Sequence, residues 1–155
     1  MFGIVYVYYI FMNQYRFNKF NILNIFCLIL FSNILFGESD ETVMFAQGID
    51  LYETDKYKQA RDIFENLVKL DSENSVYYHW LGKSYGRIAE TAPWLTAISM
   101  AKKTRKAFEK AVELDNTNIN ALIDLKEYYL NAPGFLGGSR KKAEDIDKTL
   151  GKLKK

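Results

Sequence analysis

The stretch APGFLGGSRKKA, residues 132–143, has the composition of a phosphate-binding loop that leads into a helix. A Walker A loop requires Gly-Lys-Ser/Thr directly after a buried strand. Here Gly138 is followed by Ser139 and Arg140, and the preceding segment has a helical pattern. The sequence therefore favours a helix end at residues 132–133, a turn that uses three glycines, and Ser139 as the N-cap of the last helix.

A second interpretation of this loop stays open. Backbone N–H groups at the start of the last helix could hold a phosphate or a nucleotide, helped by Arg140 and Lys141. The protein would then bind a small ligand or act as an enzyme. Elsewhere the sequence offers no Ser/His/Asp or paired-carboxylate arrangement, and His79, the only histidine, has Gly82 and Lys83 as its helical neighbours. We therefore predict no catalytic residues, no metal site, no cofactor and no enzymatic activity.

Two further residue types narrow the function. The only cysteine, Cys27, lies in the apolar N-terminal run, so the rest of the chain has no disulfide and no thiol nucleophile. The basic run KKTRKAFEK, residues 102–110, alternates with apolar residues in a helical pattern, which is typical of a solvated outer face. We expect no nucleic-acid partner.

Charge is unevenly distributed along the 155 residues, although the net charge is only +2. Residues 38–73 contain ten acidic and four basic residues, a net charge of −6. Residues 74–155 contain nine acidic and fifteen basic residues, a net charge of +6. Such polarity can orient a partner or a second copy, or it can be an ordinary solvated surface.

The N-terminal residues 1–37 have the pattern of a signal peptide. Arg16 and Lys19 precede an uncharged, largely apolar run over residues 20–37, and a polar boundary follows at Glu38. We predict an exported protein, periplasmic or secreted, that is cleaved near this boundary; the alternative is an uncleaved membrane anchor over residues 20–37. Translation starts at Met1 or Met12. Membrane contact is expected only through this segment.

Residues 41–155 are predicted to form an all-α domain with an internal repeat. Apolar residues recur at intervals of three and four throughout, with a polar break at residues 53–56. The segments FENLVKLDSEN (64–74) and FEKAVELDNTN (108–118) align without a gap. Amphipathic helical hairpins of this length bury their apolar faces by stacking on one another. About ten extra residues lie near ETAPWLTAIS in the second hairpin.

Over residues 41–153 the chain resembles the tetratricopeptide repeat family, whose 34-residue hairpins stack into an α-solenoid. The resemblance implies three repeats, and it is weakest in the third, where Lys126 stands at a glycine position. Small residues are expected where paired helices cross, and large ones beside them. The residues that match these motif positions are Gly48, Ala60, Phe64, Gly82, Phe108 and Ala111.

The resemblance also implies a function, because the first helix of each hairpin in this family lines a concave groove that binds a protein or peptide. The predicted groove is an apolar-aromatic patch, a cationic stripe and a mixed strip, with members about four residues apart on one side of a helix. A peptide with a hydrophobic anchor and an acidic group would fit it. We expect either Glu127 or this partner to neutralise the stripe. The groove residues are Phe45, Ile49 and Tyr52; His79, Lys83 and Arg87; and Ile123, Glu127 and Asn131.

Overall fold

A computed structural model of the protein describes residues 40–153. The predicted signal peptide in residues 1–37, which includes Cys27 and the two possible initiator residues Met1 and Met12, lies outside these residues. Between 40 and 153 the chain is helical without any strand, which confirms the all-α class for this part. No helix in it is both long and apolar enough to cross a membrane. The helices are α1 (residues 40–53), α2 (Tyr57–Leu70), α3 (Ser75–Thr91), α4 (Trp94–Leu114), α5 (Ile119–Asn131) and α6 (Arg140–Leu153), with a 3-10 turn at Gly134–Leu136.

The turns after α2 and α4 have the same construction because their sequences repeat. Asp71 accepts a hydrogen bond from the backbone N–H of Glu73 at 3.0 Å, and Asp115 accepts one from Thr117 at 2.8 Å. Each turn then ends in an asparagine whose side chain caps the next helix. Asp and Asn side chains compete with helical hydrogen bonding in this way and so stop one helix and start the next. The aligned segments therefore encode two equivalent turns.

Helices pack in chain order into three hairpins, α1–α2, α3–α4 and α5–α6. Each of the helices α2 to α5 contacts its successor, and α3 also contacts α5. In the first hairpin, a Cβ atom on Gly48 would lie 2.8 Å from the Phe64 ring. In the second, a Cβ atom on Gly82 would lie 2.5 Å from the Phe108 ring. Both glycines therefore allow an aromatic ring of the paired helix to approach closer than any side chain would permit.

Small residues complete these crossings. Ala60 and Ala111 are fully buried. In the aligned repeats, however, the residue equivalent to Ala60 is Thr104. Ala60 precedes Phe64 by four residues, and Thr104 precedes Phe108 by four. Thr104 is buried, and its hydroxyl donates to the carbonyl oxygen of Met100 at 3.1 Å, so its polar atom is satisfied within the helix.

The extra residues of the second hairpin are helical. They lengthen α3 to 17 residues and α4 to 21, whereas α2, α5 and α6 have 14, 13 and 14. The break between the two long helices is only Ala92 and Pro93, and Pro93 is the N-cap residue of α4, where proline interrupts the helix because it has no backbone N–H to donate. The second hairpin therefore ends in a tip, residues 91–95. The hairpins with shorter helices have no equivalent of this tip.

The third hairpin has an ion pair where the others have glycine and phenylalanine. Lys126 is 44 positions after Gly82, and Asp147 follows Ala143 by four residues, as Phe64 follows Ala60. The Lys126 ammonium donates to Asp147 at 2.9 Å. The buried side chains of this hairpin are Ala121, Leu122, Leu125, Tyr129, Ala143, Ile146 and Leu150.

Candidate functional site

The α1 members of the predicted groove are largely used in packing. Phe45, Ile49 and Tyr52 are half-buried and contact the first core cluster. The Phe45 ring centroid lies 5.5 Å from that of Tyr77, and the Tyr52 ring lies 5.4 Å from Trp80. Burial raises the pKa of Tyr52 to about 12, against the lowering effect of the Arg87 charge. These three residues therefore support the α1–α3 contact and expose only part of their surface.

A hollow of about 330 Å³ lies between α3 and α5. We call it the polar hollow. Three of the predicted groove residues line it: His79 and Lys83 from α3, and Ile123 from α5. Its lining is Val76, His79, Trp80, Lys83, Asn118, Asn120, Ile123 and Asp124.

His79 links the two walls of the polar hollow. It is only 7% exposed, and its Nε2 atom lies 2.7 Å from a carboxylate oxygen of Asp124 on α5. Its ring also lies beside Phe108, with centroids 5.8 Å apart. A buried imidazole that has a carboxylate partner holds its helices together, because losing that partner would leave a polar group unsatisfied. His79 is thus part of the floor of the hollow and a poor candidate for direct partner contact.

Lys83 is the cation at the edge of the polar hollow. Its ammonium lies 4.0 Å from the ring centroid of Trp80 and 4.9 Å from that of Tyr52. Among residues 40–153 no carboxylate pairs with it. Aromatic faces attract a cation without cancelling its charge. Lys83 is therefore positioned by the rings and still able to meet an acidic group.

The predicted cationic stripe does not continue to Arg87, which corrects the sequence expectation. Arg87 pairs with Glu90 on its own helix and donates to the Tyr57 hydroxyl at 3.0 Å. Successive steps of four residues rotate about 40° around a helix of 3.6 residues per turn. Arg87 has consequently turned away from α5 toward α2. Lys83 and Arg87 face different neighbours.

Of the two groups suggested to neutralise this stripe, Glu127 does not pair with it. Glu127 and Asn131 line a second hollow of about 320 Å³, the apolar hollow, on the far side of the α3–α5 seam. Gly86 and Ala89 face them from α3, so no cation of the stripe is in reach. The other lining residues are Ala101, Thr104, Phe108, Tyr128, Ala132, Pro133 and Leu136.

Three features of the α3 and α5 surroundings were not predicted from the sequence. Trp80 stacks on Phe64 with centroids 5.8 Å apart, and Asp124 holds His79. Both neighbour predicted groove residues in the chain. Counted from Val76, the positions i+3, i+4 and i+7 are His79, Trp80 and Lys83, which lie on one face of a helix. This spacing would have selected Trp80 in place of Arg87.

The third unpredicted feature is a tyrosine–glutamate pair that occurs twice with the 44-residue spacing. The Tyr85 hydroxyl donates to Glu65 at 2.5 Å, and the Tyr129 hydroxyl donates to Glu109 at 2.6 Å. Burial and the adjacent carboxylate raise the pKa of both tyrosines. Burial alone would raise the pKa of Glu109 as well. The Tyr129 hydrogen bond and the charge of Arg105 outweigh it, so the Glu109 pKa is lowered.

The glycine-rich loop forms a closed turn. Helix α5 ends at Asn131, and the Ser139 hydroxyl accepts from the N–H of Lys142 at 3.3 Å, so Ser139 lies at the start of α6 as predicted. The N–H groups of Leu136, Gly137, Gly138 and Ser139 all donate to backbone carbonyl oxygens. A phosphate cradle needs free N–H donors. The N–H groups of residues 136–139 are therefore used by the turn itself.

The structure explains why two positions of the loop are glycine. Gly137 has a φ of 95°, in the left-handed region that side chains disfavour. A Cβ atom on Gly138 would collide with the carbonyl oxygen of Ala132. Within the described part of the chain, no group of three or more His, Cys, Asp or Glu residues could hold a metal ion.

Comparison with known proteins assigns no family to the chain. No family model matches it, and no curated protein matches it. A function for this protein therefore has to be argued from the geometry of residues 40–153, and above all from the seam between α3 and α5.

Proposed function

We propose that residues 41–153 form a tetratricopeptide-like stack of three hairpins that binds a segment of a partner protein at the polar hollow. Glycine–phenylalanine contacts in two hairpins, equivalent turns after α2 and α4, and the contact of α3 with α5 support this architecture. The role is binding and involves no catalytic step.

The observation that carries the proposal is the set of contacts that Lys83 makes. The neighbouring His79 and Arg87 both have acidic partners, whereas Lys83 contacts only aromatic rings within residues 40–153. A carboxylate brought by a partner would find a cation already held in place, which reduces the entropy lost on binding. Charge complementarity thus favours a segment that carries an acidic side chain.

The walls of the polar hollow offer the remaining contacts. Val76 and Ile123 are exposed on opposite sides of it, and the exposed Asn120 can hydrogen-bond to a peptide backbone. Asn118 is not available, because it caps α5 and donates to Ser75 at 2.9 Å. The volume is at the lower end of the range of about 300–1,000 Å³ for ligand pockets. It suits one or two side chains of a short acidic and apolar segment.

A photo-crosslinking experiment in the native host tests the proposal. A photoreactive amino acid replaces Val76, and the same protein carries Lys83→Glu or, as the matched control, Arg87→Glu. We expect a discrete crosslinked partner that Lys83→Glu reduces at least tenfold and that Arg87→Glu leaves within about twofold, because reversing the unpaired cation costs at least 1.4 kcal/mol of binding.

Equal loss from both substitutions would show that general charge, and not the polar hollow, captures the partner. Crosslinking that is indifferent to Lys83→Glu would remove the hollow as the binding site. Melting temperatures of the two variants, measured in parallel, separate loss of binding from loss of folding.

We also propose that the protein is exported through residues 1–37, which places the binding domain in the cell envelope or outside the cell. The basic residues, the apolar run and the polar boundary at Glu38 support this. Intact mass and N-terminal sequencing of the protein from its native host test it. A mature chain that begins near Glu38 is the expected result, and a full-length, membrane-embedded product would indicate the anchor.

A further inference from the structure

The tip of the second hairpin exposes two adjacent large apolar side chains. Trp94 is 70% exposed and Leu95 is 79% exposed. Both stand at the start of α4, directly after Pro93, where the two lengthened helices end. Such exposure has no role in packing the hairpin, and adjacent exposed apolar residues mark contact with another surface.

Charge is distributed around the tip in a specific order. Residues 91–101 contain no charged side chain, and the basic residues of α4 begin at Lys102. Leu95, Ser99, Lys102 and Lys106 are all exposed, at the spacing i, i+4, i+7 and i+11 that follows one face of a helix. The outer face of α4 therefore runs from apolar at the tip to cationic two to three turns away.

The geometry of a helix brings these lysines toward the tip. Lys102 is seven residues after Leu95, which is about 10 Å at 1.5 Å per residue. Side chains on a helix lean toward its N-terminus, and a lysine stem extends several ångströms further. The nearest acidic residues are already paired, Glu90 with Arg87 and Glu109 with Arg105. Among the described residues, no carboxylate pairs with Lys102 or Lys106.

We propose that this tip binds an anionic lipid surface. Trp94 and Leu95 enter the boundary between headgroups and acyl chains, where tryptophan is favoured, and Lys102 and Lys106 meet the anionic headgroups. The contact is interfacial, because only the short tip at residues 91–95 and the adjacent lysines take part in it. It is independent of the polar hollow and of the N-terminal segment.

Tryptophan fluorescence can report on the tip alone because the chain has only two tryptophans, Trp80 and Trp94. The full-length protein and its Trp94→Phe variant are mixed with phosphatidylcholine vesicles, with or without phosphatidylglycerol, whose acyl chains carry bromine. The difference between the two proteins gives the Trp94 signal. Any tethering by the N-terminal segment is common to both and cancels.

We expect the Trp94 signal to shift to shorter wavelength and to be quenched by bromine, more strongly on anionic vesicles, while the Trp80 signal of Trp94→Phe stays unchanged. Lys102→Glu with Lys106→Glu should abolish the preference for anionic vesicles. The matched control, Lys141→Glu with Lys152→Glu, changes net charge equally at exposed positions of α6 and should retain that preference.

Two results would overturn the proposal. Protein that floats with the vesicles while Trp94 remains unquenched and accessible to acrylamide would show that the tip faces water, and would point to a protein partner for it. Protein that does not associate with any vesicle would exclude lipid binding by the tip and by the N-terminal segment together.

Discussion

In the second hairpin, α3 and α4 meet where Gly82 lies against the Phe108 ring, and in the third, α5 and α6 meet at the same repeat position through Lys126 and Asp147. The first contact is buried. In the second, the lysine side chain is 25% exposed and the aspartate 61%. An exposed ion pair contributes about 0–1 kcal/mol, whereas a buried aromatic ring contributes several times as much. The same repeat position can therefore contribute strongly or weakly to the contact between two helices. Its contribution is the weaker one in the third hairpin.

The largest expected effect comes from truncating the two equivalent residues. Phe108→Ala should lower the free energy of unfolding by about 3–5 kcal/mol, because it opens a cavity between α3, α4 and α5. Asp147→Ala should lower it by no more than about 1 kcal/mol. Chemical denaturation of both variants measures the difference. Similar losses would mean that the ion pair is as important to its hairpin as the ring is to its own.

An intermediate effect is expected from adding a side chain at the crossing. Gly82→Leu should lower stability by about 1–3 kcal/mol, even though leucine favours a helix more than glycine does, because the new side chain overpacks against Phe108. Gly151→Leu is the control, since a Cβ atom there meets nothing within 4 Å. It should leave the melting temperature unchanged or raise it. A Gly82→Leu protein as stable as wild type would contradict the close crossing.

The smallest expected effect is on stability in acid, at the pair of Tyr129 and Glu109. Because the folded pKa of Glu109 is lowered, its contribution is complete above the ordinary glutamate pKa of about 4.3 and disappears as the pH falls through the folded value. Glu109→Gln should therefore reduce the loss of stability in that acid range.

Urea denaturation of the wild type and Glu109→Gln at a series of acidic pH values provides the measurement. Tyr129→Phe removes the hydrogen bond without changing formal charge and should give a dependence between wild type and Glu109→Gln. Identical pH dependence in wild type and Glu109→Gln would show that Glu109 gains nothing from its neighbours.

Much of the fold follows from local patterns in the sequence. The aligned segments at 64–74 and 108–118 predict equivalent turns, and Asp71 and Asp115 make equivalent hydrogen bonds in them. Ser139 lies at the start of the last helix for the same local reason. Short-range polar side chains and the 3.6-residue period determine these features within a few residues of sequence. The extra residues near Pro93, by contrast, gave no clear sign that they would lengthen both helices.

The candidate site was predicted only in part. Steps of four residues correctly brought His79 and Lys83 into one hollow, but the same rule assigned Arg87 to it. Whether a side chain near the end of such a row faces α5 or α2 depends on the rotation of α3 within the stack. That rotation depends on how α3 packs against α2, α4 and α5 together, which no local pattern specifies.

The sequence by itself determined the helices, their turns and the glycines that let rings approach, because these depend on neighbours in the chain and on the absence of a Cβ atom. Tertiary structure alone decided which distant partners the α3 side chains meet. His79 has Asp124, Arg87 reaches Tyr57, and Lys83 contacts only aromatic rings among the residues that the structure describes. The physical reason is that partners 45 or 30 positions away meet only when helices stack, and a shift of one helical turn exchanges them.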